Sequence, residues 1–352
     1  MTVGFLTLGC RVNQYDTQSM KEMLMNAGFE IADFDVCDIA IVNTCTVTAV
    51  ADKKSRQVIN RAVKRGARVV ACGCLAQDDA KKLLNMGVFA VLGTNNKKNI
   101  IEIINFGNKE VTPLETVEDF EEMPIEYSFD RREAYIKIQD GCDNFCAYCK
   151  IPYVRGRSRS REFDSIIAEA ERLKHKKTLV LTGIHIDDYL NSDKQLIHVI
   201  ERVASAAPSS KIKLGSIHPK CFTADFLLRA KKIDNLVSEF HISLQSGCDS
   251  VLERMNRKYT TAQYFECLEN IRSTFKNPII TTDIITGFSE ETEEEHRAAI
   301  EFIKKCNFDK VHVFPYSKRT GTKGEHMPDL LTRAEKNRRC NEIIALFANL
   351  FD

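Results

Sequence analysis

Twice along this chain, short apolar runs alternate with segments of helical spacing. Parallel β-sheets covered by helices produce that rhythm, and few other folds do. Apolar runs at residues 3–8, 39–43, 68–71 and 89–92 are separated by helical patterns at 16–27, 49–65, 77–86 and 100–106. A second series puts strands at 134–139, 178–182, 211–215, 239–244, 279–285 and 310–314. Helical patterns at 163–173, 261–274 and 291–304 lie between them, and one at 331–350 ends the chain. The expected class is therefore α/β: a parallel sheet over residues 1–106, then six βα units over 132–352 forming an open partial barrel. Residues 107–131 break the rhythm with acidic and polar residues plus Pro113 and Pro124, as a linker would.

Composition excludes several classes. With 43% hydrophobic and 28% charged residues in 352, the chain has ample apolar side chain for real cores and is not disordered. Lys plus Arg is 50 against 49 for Asp plus Glu, so net charge proposes no partner, and any nucleic-acid contact must come from local clustering. No apolar stretch approaches the roughly 18 residues of a membrane helix, and no secretory signal opens the chain. Thirteen cysteines, an odd count without such a signal, argue against a disulfide framework and for the reducing cytoplasm. Some of these thiols are then expected to be metal ligands.

Cys142, Cys146 and Cys149 form a Cys-x3-Cys-x2-Cys run just after the first strand of the second series. Three thiolates this close suit three corners of an iron–sulfur cube and leave the fourth iron without a protein ligand. Structural zinc would want a fourth ligand, and none lies nearby in sequence. Phe145 and Tyr148 flank the last two cysteines and are read either as shields of a cluster or as ordinary core aromatics. Cys10, Cys45 and Cys74 each follow a strand of the first series, so a parallel sheet brings them to one carboxyl edge. Read from spacing alone, they are a second three-cysteine site or core thiols at strand ends.

The pieces Gly9-Cys-Arg-Val-Asn-Gln-Tyr-Asp16, Asn43-Thr-Cys45, Gly73-Cys-Leu-Ala-Gln77, His241-Ile-Ser-Leu-Gln-Ser-Gly-Cys248, Arg254-Met-Asn-Arg257 and Thr282-Asp-Ile-Ile-Thr-Gly-Phe288 settle on one resemblance. With the Cys142 run, they resemble the radical S-adenosylmethionine (SAM) methylthiotransferases in order and spacing, from about residue 3 to 350. The first of these pieces is most similar to the MtaB branch, which acts on N6-threonylcarbamoyladenosine in tRNA. The resemblance implies a Rossmann-like first domain, a radical SAM barrel and two [4Fe–4S] clusters with separate jobs. Cys10, Cys45 and Cys74 would hold the cluster that supplies sulfur. Cys142, Cys146 and Cys149 would hold the one that cleaves SAM to a 5′-deoxyadenosyl radical. Cys74 rather than Cys72 fills the family position. No side chain is expected to act as catalyst, because the cofactors carry the hard chemistry.

The resemblance also implies SAM contacts at the carboxyl ends of the barrel strands: Thr182, Gly183, Ser216, Gln245, Ser246, Gly287 and Phe288. The basic run Arg155, Arg157, Arg159 and Arg161 is read as a grip on RNA phosphates if extended, with pairing of Arg159 and Arg161 to a SAM carboxylate or a structural Glu as the alternative. The expected partner is a tRNA anticodon stem-loop, with sulfur and electron donors unidentified. Two departures stand out: Gly287-Phe-Ser-Glu-Glu-Thr292 where the family has Gly-Phe-Pro-Gly-Glu-Thr, and Ile184-His-Ile-Asp-Asp-Tyr-Leu190 where Asn and Gly are common. A C-terminal TRAM barrel, usual in the family, is expected to be absent. The rival readings are methylthiolation of isopentenyladenosine or of a ribosomal-protein aspartate, and a non-catalytic iron–sulfur redox protein.

Overall fold

In the computed structural model of the chain, residues 1–128 and 132–347 are described. The end of the expected linker and the last five residues of the expected second domain lie outside them. Strand β3 (Ile39–Thr44) is buried along its whole length and takes a central place in the first sheet. It joins β1 (Thr2–Thr7), β2 (Glu30–Ile31), β4 (Arg68–Gly73) and β5 (Ala90–Leu92) in the order β2-β1-β3-β4-β5, all parallel. The two-residue β2 is too short to leave a periodic trace, and the sequence reading missed it.

Side chains alternate between the two faces of this sheet, so each face needs its own cover. Ala40, Val42, Val69 and Ala71 pack under α2 (Ala49–Lys64), on Val58, Ile59 and Ala62. Ile39, Ile41, Val70 and Cys72 pack on the other face against α1 (Arg11–Asn26) and α5 (Ile100–Phe106). Helix α1 begins five residues before its apolar periodicity does. Its first turns carry Asn13 and Asp16, buried polar residues that an apolar count overlooks. The helix expected at 77–86 is two: α3 (Cys74–Asp78) and α4 (Ala80–Asn85), broken at Asp79, which has φ −145°.

The strand order places β1 and β3 side by side while the chain crosses away from β1 to opposite edges. Ligand sites form at such a switch, outside the carboxyl ends of the strands.

The second series is the expected six-unit barrel. Its strands are β6 (Glu133–Lys137), β7 (Thr178–Thr182), β8 (Lys211–Leu214), β9 (Glu239–His241), β10 (Ile279–Thr286) and β11 (Lys310–Pro315). The first three pair in parallel, as do the last three, and single parallel bridges Ile212–Leu236 and Ile217–Ile242 join the halves. Helix α6 (Ile151–Arg155) follows β6 and α10 (Asp249–Arg254) follows β9, while α7 (Phe163–Leu173), α8 (Leu196–Ala206), α9 (Ala224–Ala230), α11 (Thr261–Thr274) and α12 (Glu293–Cys306) cover the outside.

Helix α1 docks on this barrel. The Glu22 carboxylate accepts the backbone N–H groups of Glu126, Tyr127 and Ser128, and Tyr15 donates to the Met123 carbonyl at 3.0 Å. Met123 and Ile125 are buried. The described part of the expected linker is therefore a strap fastened to both halves rather than a free tether.

Candidate active site

The first cysteine trio is assembled by the sheet. Cys10 caps α1 after β1, Cys45 follows β3, and Cys74 opens α3 after β4. Gly9, at φ +94°, turns the chain beside Cys45, and a Cβ there would stand 2.9 Å from the Cys45 sulfur. Only glycine accepts that conformation and that approach together. Cys45 is fixed by Ser55, which donates to its carbonyl and accepts its amide proton. Burial, then the neighbouring Cys74 and Cys10, push the Cys45 thiol up to about 11. The three sulfurs thus repel one another as thiolates, and a bound cationic group would relieve that repulsion. Cys72 is different. Its side chain lies in the apolar layer with Val70, Ile41 and Leu92, and burial pushes its thiol up to about 12.

The second trio is assembled by one loop. Gly141 begins it at φ +75°, where a Cβ would overlap the Arg157 carbonyl. The Cys142 amide donates to the Gly156 carbonyl, and Cys149 closes on Cys146 through a 2.9 Å backbone bond. Phe145 adopts φ +45°, and Asn256 holds that strained turn by donating to the carbonyls of Asn144 and Phe145. Below the loop, Ala147 packs with Val251, Met255, Phe288 and Tyr316. Burial, then the neighbouring sulfurs, push Cys149 up to about 12. Cys142 is raised to about 11, by burial first.

Both donor sets fit an iron–sulfur cube. Each offers three thiols, and a single ion would draw its ligand atoms within a few ångströms of one another. Among the described residues, the only trio of candidate ligand atoms within 4.8 Å is His185, Asp187 and Asp188, and it is not a cysteine trio. No disulfide forms among the described cysteines.

A short helix joins the two sites. Helix α6 (Ile151–Arg155) starts two residues after Cys149 and packs along α3. Its last residue, Arg155, reaches Asn13 at 2.6 Å and both Asp140 oxygens at 2.8 and 2.9 Å, and its charge opposes the rise that burial gives the Cys74 thiol. Lys137 bridges Asp140 and Asp16 at 2.7 and 3.0 Å, and Lys97 meets Asp16 at 2.9 Å. The cysteine sites therefore share one buried network of ions.

That network corrects the reading of the basic run. Arg155, Arg159 and Arg161 are 0%, 6% and 0% exposed, so they face inward and offer nothing to a phosphate. Arg159 donates to the Arg155 and Arg157 carbonyls. Arg161 pairs with Glu169 and Glu122 beside Tyr15, which is the structural-Glu alternative. Only Arg157, with 72% of its side chain exposed, remains open to solvent. The run is not extended: it leaves the end of α6, turns at Gly156, and pairs residues 159–160 antiparallel with 139–140.

The expected SAM contacts also divide. Thr182 ends β7, and Gly183 lies so close to Gln139 that a Cβ would stand 2.9 Å from its carbonyl. Ser216 is exposed after β8, and Gln245, at φ +71°, and Ser246 follow β9 at the same end of the barrel. Gly287 and Phe288 do not face that mouth as free groups. The Gly287 amide donates to Glu291 at 2.7 Å, and Lys336 fills the space a Cβ would need. Phe288 is wholly buried, edge-on to Tyr148 and Tyr316 beneath the cysteine loop. Glu291, which the family pattern shares, is paired with Arg339 at 2.6 Å and ties down helix α13 (Arg333–Leu346), so the acidic departure, Glu290, does not make that contact. In the other departure, His185 lies 3.1 Å from Asn144 of the cysteine loop and pairs with Asp188.

One residue of this site was not singled out. Arg257 donates to the Cys146 sulfur at 3.3 Å, to the Ser243 carbonyl at 3.2 Å and to the Tyr259 hydroxyl at 2.9 Å. Its signal was present as the last member of Arg254-Met-Asn-Arg257.

The profile of the Radical SAM superfamily matches residues 136–303, and that of the Uncharacterized protein family UPF0004 matches residues 2–93. The chain is 38% identical to the threonylcarbamoyladenosine tRNA methylthiotransferase MtaB of Bacillus subtilis, over 98% of its own length and 80% of the relative's. For the protein of the same name in Aquifex aeolicus, identity is 34% over 96% and 86%. A tRNA-2-methylthio-N(6)-dimethylallyladenosine synthase of Fervidobacterium nodosum is 28% identical over 98% and 83%. Among solved structures, the radical SAM methyltransferase TsrM of Kitasatospora setae shares the fold. Its TM-score is 0.65 at 16% identity, over 89% of this chain and 74% of that one.

Proposed function

The chain belongs to the radical SAM methylthiotransferases, in the branch of the threonylcarbamoyladenosine tRNA methylthiotransferases, and on that premise we propose that it methylthiolates C2 of N6-threonylcarbamoyladenosine beside the tRNA anticodon. The observation that carries this reading is the pair of cysteine trios, each lacking a fourth cysteine and joined by one buried junction at α6. A transferase that must both supply sulfur and open an unactivated C–H bond needs two such sites, whereas an electron carrier does not.

Cys142, Cys146 and Cys149 would hold the cluster that works with SAM, and Cys10, Cys45 and Cys74 the cluster that provides sulfur. When bound, these groups supply one-electron chemistry at a carbon with no acidic proton. The chain's own residues position and shield. Phe145 and Tyr153 meet edge-on at 5.7 Å over the cysteine loop, and Arg157 sits 4.8 Å over the Phe145 ring. Together they limit water at that end. Thr182, Gly183, Ser216, Gln245 and Ser246 are the groups proposed to meet SAM at the barrel mouth. Arg157 is the one member of the basic run proposed to meet phosphate. We assign residues 1–106 to sulfur supply and 132–352 to radical chemistry.

The anticodon loop suits such a site because its modified bases are single-stranded and can be splayed into a pocket without melting a duplex. The cytoplasm, where tRNA meets a reducing environment, is the inferred compartment. No helix among the described residues is long and apolar enough to cross a membrane.

The test is nucleoside mass spectrometry of tRNA from cells lacking the native enzyme, with and without this chain. A methylthio gain on threonylcarbamoyladenosine is the expected result. A gain on isopentenyladenosine would move the substrate assignment. No gain on either, with intact clusters, would overturn the tRNA reading.

A further inference from the structure

Each cysteine trio has one arginine beside it, and the two arginines differ in what balances them. Arg155, whose charge is felt at Cys74, is met by both oxygens of Asp140. Arg257, on Cys146, has no carboxylate within 4.0 Å among the described residues, and its remaining partners are neutral: Tyr259, over whose ring it lies at 4.9 Å, and the Ser243 carbonyl. Among the other charges around this trio, Arg157 pairs with Asp143 at 3.1 Å and Lys220 with Asp188 at 3.0 Å, while Asp187 and Asp188 both face His185.

We propose that Arg257 sets the reduction potential of the cluster held by Cys142, Cys146 and Cys149, by presenting an uncancelled positive charge and an N–H donor to the Cys146 sulfur. The inference rests on the reading of that trio as a cluster site. Adding one electron makes a cluster more negative, so a neighbouring cation and an N–H···S hydrogen bond stabilise the reduced form more than the oxidised one. Partial burial keeps water from screening the effect. A guanidinium stays charged throughout the working pH range, so no titration is involved. The same charge is felt one ring away. His218, edge-on to Tyr259 with ring centres 4.9 Å apart, has its pKa pushed down to about 2, by burial first and Arg257 next. Arg257 is thus a positioning and tuning residue, and its fork is spent within the protein rather than on substrate.

The experiment is an EPR-monitored redox titration of the reconstituted full chain, following the signal that changes when SAM is added, with iron measured on the same samples. Arg257→Met is expected to keep the iron and to make the reduced state about tenfold less favourable at a given potential, a downward shift of about 59 mV for one electron. Arg257→Lys, which keeps the charge but not the fork, should lie closer to the parent than to Arg257→Met. An unchanged potential with full iron overturns the proposal. So does loss of that cluster's iron from both variants, which would make Arg257 a structural prop. A parent chain with no SAM-responsive signal would overturn the cluster reading itself, and that result is distinguishable because it appears before any substitution.

Discussion

The two cysteine trios have the same donors and opposite constructions. Cys142, Cys146 and Cys149 belong to one loop of eight residues, counted from the first cysteine to the last, and its turns are fixed by Gly141, Phe145 and Asn256. Cys10, Cys45 and Cys74 come from three strands of one sheet, and nothing local holds them together. Their convergence is a property of the order β2-β1-β3-β4-β5, which sets the ends of β1, β3 and β4 side by side. A site within one loop needs that loop and the few side chains that pin it, whereas a topological site exists only when the whole sheet is folded. The difference teaches where each site is vulnerable.

The largest effect expected comes from removing one ligand of each kind. Cys146→Ala should abolish SAM cleavage while leaving about half the iron, because the sheet still presents its own three thiols. Cys45→Ala should leave release of 5′-deoxyadenosine measurable and stop methylthio product. Iron assay with chromatography of both products checks the pair. Full product from the Cys45 variant would break the two-site assignment.

The shared junction sharpens the comparison further. Asp140 neighbours Gly141 of the second trio and binds the arginine that reaches the first. Burial alone would push its carboxyl up, yet Arg155 and Lys137 outweigh burial and hold it far below the usual carboxylate range. A carboxyl whose folded pKa is depressed contributes stability that is complete above its unfolded value near 3.9 and is lost as pH falls toward the folded one. Asp140→Asn leaves Arg155 and Lys137 buried with too little negative charge, at a cost of about 3–5 kcal/mol. Denaturant midpoints at pH 7 should fall accordingly, and the acid limb between about pH 4 and pH 2 should flatten. If the variant kept the parent's acid limb, the two sites would be independent modules.

How much of this was readable in the residues follows the same division. Six barrel strands and four of the five sheet strands leave periodic traces, and the Cys142 loop declares itself by spacing. The first trio was suggested by strand ends and decided by resemblance. The basic run misled because period-two spacing says nothing about distant carboxylates. Arg155 is claimed by Asp140 and by Asn13 of α1, and Arg161 by Glu169 of α7 and by Glu122 of the strap, contacts that only the folded chain makes. Arg257 was hidden for the same reason: its partner Cys146 is more than a hundred residues away.

The smallest effect concerns the platform beneath the second trio. Where the family carries glycine, this chain has Glu290, and its backbone sits at φ +56°, in the left-handed region. A side chain there costs roughly 1–2 kcal/mol relative to a residue without one. Some of that is returned by stiffening the unfolded chain, because glycine has more conformational freedom to lose on folding. The net expectation for Glu290→Gly is a gain of about 1 kcal/mol, read as a higher denaturant midpoint with an unchanged slope. The charge is not needed for the fold here, since the buried acidic contact to Arg339 is made by Glu291 instead. The gain should also leave iron content and SAM cleavage unaltered, because the cysteine loop is fixed by its own turns and by Phe288, not by residue 290. A Glu290→Gly chain that lost iron from the second trio would show that this site, too, depends on structure well beyond its own loop.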